Sequence, residues 1–352
     1  MDTLGILVIG GGQAGLAVGW HLRRAGLRPG RDFRIIDQAT EPGGAWRSMW
    51  PGMRLISPAP YSSLPGMPMP PWTGDGTPDP AHVVGYLSEY EDRYGLDVHR
   101  GVRATAVTPG RTIRVATSAG PVEAEQVVNA TGTWLRPFVP GWAGAAGFGG
   151  RQLHTVHYRG PEEFVGQRVA VVGGGNSAAQ IMAEITPVAA DTRWITRRPP
   201  RFLADDIDGE ALFGLASARR LASRHDDEDT SIADLRDIVM VPSVREARRR
   251  RQLVAHRPFT RFDGDDLVWQ QQGVRWRADV VIWATGFRPA LRHLRGTGVV
   301  PSDGASAVVD GVSRQDPRFH FVGYGGWTGT ASATLVGVGQ YAGATVARVL
   351  RR

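Results

Sequence analysis

The chain has 352 residues, 42% of them hydrophobic, enough for two closely joined domains with a sizeable core. It contains no cysteine, and all 41 basic residues are arginine, so disulfide chemistry, thiolate metal sites, cysteine nucleophiles, a Walker-type lysine and Schiff-base catalysis are all excluded. The net charge of +7 comes from scattered arginines with no nucleic-acid-binding motif beside them, so it reads as surface composition and no nucleic-acid partner is expected.

The run Leu4-Gly5-Ile6-Leu7-Val8-Ile9 predicts a strand. It leads straight into glycines without a preceding basic region, so it is not read as a signal peptide. No apolar run approaches the roughly 20 residues of a membrane helix, and a cytoplasmic protein without a membrane partner is expected. Gly10-Gly11-Gly12-Gln13-Ala14-Gly15 then gives G-x-G-x-x-G, opening a helix over Leu16 to Arg24. A second strand, Phe33-Arg34-Ile35-Ile36, ends at Asp37 and Gln38. Strand, glycine turn, helix, strand and acid form the full dinucleotide fingerprint. Gly10 allows the turn, Gly12 lets a pyrophosphate approach the backbone, and Gly15 lets helix and strand pack closely. Asp37 is placed to accept hydrogen bonds from ribose hydroxyls, which suits FAD or NAD better than NADP.

Pro51 to Pro80 is crowded with Pro, Gly, Met and Ser and is expected to be mostly loop. Val127-Val128-Asn129-Ala130-Thr131-Gly132 follows as a strand running into Ala-Thr-Gly. A second strand–glycine–helix unit begins at Val169, with Gly173-Gly174-Gly175-Asn176-Ser177-Ala178 as G-x-G-x-x-A and a helix over Ala178 to Glu184. Its next strand, Thr192 to Thr196, ends on Arg197-Arg198 in place of an acid. Guanidinium groups there can grip a 2′-phosphate, so this site is expected to prefer NADPH. Asp205 to Arg261 reads as a partly helical insertion, with Arg248 to Arg251 on an exposed helix or loop. Val280 to Trp283 running into Ala284-Thr285-Gly286 echoes the first Ala-Thr-Gly.

The pattern predicts an α/β protein of two Rossmann-like dinucleotide-binding domains, one inserted into the other. The first takes residues 1–160 and 279–352. The second takes 161–278, with the insertion at about 205–261.

Further motifs resemble those of the class B flavin-containing monooxygenases. Pro42-Gly43-Gly44-Ala45-Trp46 is similar to the family's G-G-x-W element beside FAD. Phe148 to Tyr158 fits F-x-G-x-x-x-H-x-x-x-(F/Y) through Phe148, Gly150, His154 and Tyr158, the signature that joins the two domains. Ala130-Thr131-Gly132 and Ala284 to Pro289 match the two crossing segments. Trp50 to Leu55, Tyr61 to Gly66 and Trp327 to Leu335 resemble the short bacterial members encoded with arsenic-resistance genes.

The resemblance implies that the first turn binds FAD and the second NADPH. It further implies that reduced flavin and O2 form a C4a-hydroperoxide, and that this oxygenates a soft nucleophile containing S, N, Se or trivalent As. An NADPH:acceptor oxidoreductase without oxygenation and a nucleotide-binding redox sensor are the rival readings. Two departures stand out. The signature ends in Tyr158-Arg159, where Baeyer–Villiger enzymes usually carry Trp followed by Pro or Asp. The asparagine that many relatives place near the flavin is replaced by Ile56, leaving Ser57 or a water as donor.

The cofactors are expected to carry the hard chemistry, and no catalytic acid or base is assigned. His154 reads as a structural histidine in preference to a proton carrier. Trp46, Trp50, Ser57, Tyr61 and Trp327 are candidates for the flavin-side pocket, with plain core as the competing reading for the tryptophans. No metal-ligand spacing is found. The expected partners are a small-molecule substrate and O2, and the sequence leaves a homodimer open.

Overall fold

The computed structural model describes residues 3–204, 237–300, 308–329 and 331–351. Much of the expected insertion, 205–236, and Thr330 of the C-terminal motif lie outside the described residues.

Leu4–Ile9 forms the heart of a nine-stranded sheet, between parallel partners Phe33–Ile36 and Val122–Asn129. Val8 lies opposite Ile35 on one side and Val128 on the other, and all three are fully buried. Such a strand must be apolar on both faces, which explains its continuous hydrophobic run. Beyond Val122–Asn129 the sheet continues through Phe319–Phe321, Val312–Ser313 and Val308–Val309. Beyond Phe33–Ile36 it ends at Val98–His99, and the hairpin Ala104–Pro109/Ile113–Thr117 joins Val122–Asn129 antiparallel. A second, five-stranded parallel sheet runs in the order Ala255–His256, Asp191–Ile195, Arg168–Val172, Val280–Trp283, Arg151–His154. A small antiparallel sheet, Arg261–Asp263, Asp266–Trp269 and Val274–Arg277, follows within the second unit.

Parallel neighbours need helical crossovers. Helix α1 (Gln13–Arg24) provides the first. Helix α2 (Pro80–Arg93) is capped by Asp79, which accepts the His82 N–H at 2.8 Å. Helix α3 (Asn176–Ile185) is the crossover of the second sheet, and α4 (Pro242–Arg249) carries Arg248 and Arg249 on an exposed last turn. Helix α5 (Leu335–Val349) packs against α1, where His21 Nε2 donates to the Gly339 carbonyl at 2.9 Å. Both crossover helices begin a few residues earlier than expected, because Gly12 and Gly175 themselves serve as the N-caps.

Two strands from the ranges expected for the first unit, Arg151–His154 and Val280–Trp283, pair into the second sheet. The reason is the Ala-Thr-Gly echo. Each strand that precedes it lies beside the strand that precedes a glycine turn, Val122–Asn129 beside Leu4–Ile9 and Val280–Trp283 beside Arg168–Val172. The chain crosses between units after each echo, not before it.

Residues 51–80 are largely irregular, as expected, and borrow their order from α2. Tyr86 accepts the Leu64 N–H at 2.6 Å and donates to the Met67 carbonyl at 2.7 Å, and burial pushes its phenol up to about 12. Tyr90 and Tyr94, one and two turns on, donate to the Pro65 and Gly66 carbonyls, each at 2.7 Å.

Candidate active site

The two glycine turns are built alike. Gly10 has φ +109°, and a Cβ there would stand 2.4 Å from the Ala130 carbonyl oxygen. Gly173 has φ +147°, and its Cβ would stand 2.2 Å from the Ala284 carbonyl oxygen. The Ala of each Ala-Thr-Gly thus presses on the first glycine of its turn. A Cβ on Gly15 would lie 1.8 Å from the Gly10 carbonyl oxygen, the close helix–strand contact expected of the third glycine. By contrast, a Cβ on Gly12 would find only Gly44 Cα, at 3.8 Å, and one on Gly175 nothing within 4 Å. Neither N-cap supplies a side-chain hydrogen bond, so the first-turn N–H groups of α1 and α3 are left for an anion. Both turns therefore fit a pyrophosphate.

Asp37 sits at the mouth of the first turn, one oxygen accepting the Gly11 N–H at 2.5 Å and the other the Ala39 N–H at 2.6 Å. It thereby shapes the turn. Gln38 is exposed beside it, and Ala14 is buried. Arg100 is a residue the sequence did not reveal. Its guanidinium donates to the Gly11 carbonyl at 3.3 Å, pairs with Glu91 and lies 3.9 Å from Asp37. Its Nε and Nη1 are buried without a hydrogen-bond partner. No local signal marks this arginine, because the contact spans two strands and α2.

Gln13 ties three distant segments together. Trp46 Nε1 donates to its Oε1 at 2.9 Å, and its Nε2 donates to the Ala333 carbonyl at 2.7 Å. Gly44 and Trp46 are thereby held beside the first turn. The Ser57 and Ser62 hydroxyls bond at 2.9 Å, and Tyr61 is half-buried nearby. Trp327 packs edge-on against Phe321 and Tyr324, centroids 5.2 and 5.3 Å away. The Tyr324 hydroxyl accepts the Thr131 N–H at 3.2 Å and meets Thr131 Oγ1 at 2.8 Å, and burial raises its pKa. Trp50 lies at the joint between the two cores. It is buried in the second core, where its indole N–H donates to Glu184 at 2.9 Å.

The two crossing segments hydrogen-bond to each other. The Ala290 N–H donates to the Gly132 carbonyl and the Arg288 N–H to the Arg136 carbonyl, while the Phe138 N–H donates to Gly286, all at 2.9 Å. Thr131 Oγ1 donates to the Ala290 carbonyl at 2.9 Å, and Thr285 Oγ1 donates to Phe138. His154 adds Nε2–H to the Gly286 carbonyl at 2.9 Å, while its Nδ1 accepts the Val156 N–H at 3.3 Å. Those partners fix the neutral Nε2–H tautomer, and burial lowers its pKa against the opposing pull of the Gly286 bond. The rest of the signature is packing. Phe148 meets Phe262 at 5.0 Å, a Cβ on Gly150 would lie 2.5 Å from the Asp279 carbonyl, and Tyr158 is fully buried with its hydroxyl on Glu184 at 2.8 Å.

At the second turn, Asn176 accepts the Val239 N–H at 2.8 Å and Ala178 is fully buried. Ser177 is exposed, and so are Arg197 and Arg198 just past Asp191–Ile195. This donor set suits a phosphorylated ribose. A cavity of about 510 Å³ opens between Gly52, Arg54, Arg159 and Glu184, at the joint between the units and away from both turns. Among the described residues no His, Asp and Glu cluster could hold a metal ion, and no helix is long and apolar enough to cross a membrane.

Residues 7–208 match the model of the "Pyridine nucleotide-disulphide oxidoreductase" family. The chain is similar along its whole length to a flavin-containing monooxygenase from Stenotrophomonas maltophilia, with 43% identity, 100% of this chain and 99% of that one covered, and a TM-score of 0.89. It is 25% identical over 346 residues to "Uncharacterized oxidoreductase CzcO" of Bacillus subtilis, covering 95% of each. It is also 32% identical over 211 residues to a Baeyer-Villiger monooxygenase of Streptomyces coelicolor, covering 58% of this chain and 39% of that one.

Proposed function

The chain belongs to the pyridine nucleotide-disulphide oxidoreductase family and is, within it, a class B flavin monooxygenase dependent on FAD and NADPH; we propose that it oxygenates a soft nucleophile bearing sulfur, nitrogen or trivalent arsenic. The balance is NADPH, H⁺, O2 and substrate giving NADP⁺, water and the oxygenated substrate. Bound FAD supplies hydride acceptance and O2 activation, which no side chain offers.

The residues divide the remaining work. Gly10 to Gly15 and Asp37 hold the ADP half of FAD, with Gln13, Gly44 and Trp46 ordering the wall beside it. Gly173 to Ala178 hold the NADPH pyrophosphate, and Arg197 and Arg198 its 2′-phosphate. Thr131, His154 and Gly286 fix the crossing that sets one site against the other. Ser57 is the hydroxyl closest in sequence to the position left without an asparagine.

The observation that carries oxygenation is the chain's lack of any cysteine within a two-nucleotide plan. Electrons reaching the flavin have no disulfide of the chain's own to reduce. The soft-nucleophile class is supported by the signature's ending, where the Tyr158 hydroxyl is spent on Glu184 inside the joint. Ketone oxygenation is the second reading, favoured by the 32% identity to a Baeyer-Villiger monooxygenase.

A panel of thioethers, tertiary amines, trivalent arsenicals and cyclic ketones tests these readings, with NADPH oxidation, product and H2O2 all quantified. Product matching NADPH in the first three classes supports the proposal, and product from ketones alone replaces it with the second reading. NADPH oxidation yielding only H2O2 or a reduced acceptor across the panel would remove both.

A further inference from the structure

We propose that Gln180 and Glu184 are positioning residues that bind the loop Trp50–Ser57 to the nicotinamide-nucleotide helix, so that the flavin-side wall moves with that helix. The inference rests on reading Gly173 to Ala178 as the NADPH turn. Asn176, Gln180 and Glu184 follow one another at helical spacing along one face of α3, starting at its nucleotide end.

Gln180 is 3% exposed. Its Oε1 accepts the Arg54 N–H at 2.9 Å and its Nε2 donates to the Arg54 carbonyl at 3.1 Å. One side chain thus satisfies both backbone groups of a loop residue, as a neighbouring strand would. One turn on, Glu184 accepts from the Trp50 indole at 2.9 Å and from the Tyr158 hydroxyl at 2.8 Å. The loop is pressed against the helix here, since a Cβ on Gly52 would stand 2.3 Å from a Glu184 oxygen.

The other end of the same loop is anchored in the first unit. Leu55 is buried in the first core, whereas Trp50 is buried in the second. The Leu55 N–H donates to the Pro78 carbonyl at 2.9 Å, and Thr77 Oγ1 donates to the Leu55 carbonyl at 2.5 Å. Ser57 follows two residues later. Pulling Arg54 off Gln180 would strand a buried amide without hydrogen-bond partners. A tilt of α3 on binding nucleotide would draw Arg54 with it, and Ile56, packed against the second core beside Ser57, would carry the shift past the Leu55 anchor. Plain interdomain packing would make the same contacts matter for stability only.

The test uses the FAD holoenzyme. Gln180→Met keeps the volume and removes both hydrogen bonds. Trp50→Phe removes one bond to Glu184, and Glu184→Gln keeps both contacts, its amide accepting from Trp50 and donating to the Tyr158 oxygen. Flavin reduction at saturating NADPH is followed by anaerobic stopped flow, together with the NADP⁺ dissociation constant and the NADP⁺-induced difference spectrum of the flavin. We expect Gln180→Met to bind NADP⁺ within about twofold of wild type, yet to be reduced about tenfold more slowly, the size of one lost buried bond. Its difference spectrum shrinks, Trp50→Phe shifts both readouts the same way but less, and Glu184→Gln behaves as wild type.

A lowered melting temperature with the saturated rate and difference spectrum unchanged would overturn the proposal and leave packing alone. If Gln180→Met loses its flavin, Trp50→Phe and Glu184→Gln decide by the same criterion. Wild-type flavin that NADPH does not reduce would instead remove the NADPH reading beneath it.

Discussion

The Cα of Gly10 rests on the carbonyl of Ala130 so closely that a Cβ would stand 2.4 Å from its oxygen, and Gly173 stands to Ala284 in the same way at 2.2 Å. The contact explains why a glycine turn and an Ala-Thr-Gly recur together in this chain. Each turn is wedged against the strand end that opens its crossing segment. A side chain at Gly10 meets backbone that cannot yield, whereas one at Gly175 meets open space. Gly10→Ala is therefore expected to yield protein without bound flavin. Gly175→Ala is expected to keep its flavin and its melting temperature, and to raise the KM for NADPH about tenfold or more by intruding on the pyrophosphate. Flavin-to-protein absorbance ratios and steady-state kinetics check both.

Arg197 and Arg198 are exposed just past Asp191–Ile195, where the first unit has Asp37 after Phe33–Ile36. Replacing both with alanine is expected to raise the KM for NADPH by about 10- to 100-fold, the worth of one or two charge-assisted contacts, with NADH changed less than threefold. Equal losses for the two nucleotides would remove the 2′-phosphate role.

Gln13 is the bridge between Trp46 and Ala333. Gln13→Leu deletes both hydrogen bonds while keeping the helix, at about 1 kcal/mol each. The expected outcome is faster flavin loss, with the FAD dissociation constant about tenfold higher and substrate KM little changed. Flavin fluorescence during dilution measures it, and unaltered retention would show that the bridge serves the loop and not the cofactor.

His293 is buried, with Nε2–H donated to Asn129 Oδ1 at 2.7 Å. Burial holds its pKa down at about 4, against 6.5 when exposed. The unfolded chain therefore gains a proton below pH 6.5 that the folded chain refuses until about pH 4. Its contribution is intact above pH 6.5 and is lost as pH falls toward 4, by up to about 3 kcal/mol. His154 and His21, also lowered by burial, add in the same sense. Denaturant midpoints between pH 4 and 7 should fall steeply for wild type and less steeply for His293→Gln. Parallel slopes would contradict the assignment.

Both turns, Asp37, the signature and the crossing segments were legible because each is a local pattern whose geometry dictates residue type. Gly10 and Gly15 need the backbone space they occupy, so they announce themselves. The pairing of Val280–Trp283 with Arg168–Val172 is less legible, because a ladder partner far away in sequence leaves no local mark. Arg100 beside Gly11, and Trp50 with Tyr158 on Glu184, were not legible. Those contacts join segments far apart in sequence, and nothing in an arginine or a tryptophan declares which distant group it will meet. The burial of the Trp50 ring in the second core is one such contact.

The central claim is that NADPH-derived electrons are used to insert oxygen from O2. The direct measurement is turnover of a thioether under ¹⁸O2 with mass analysis of the product. One ¹⁸O atom per product, in proportion to NADPH consumed, is the expected result. Product carrying oxygen only from water, or NADPH oxidation that never labels any substrate, would contradict it.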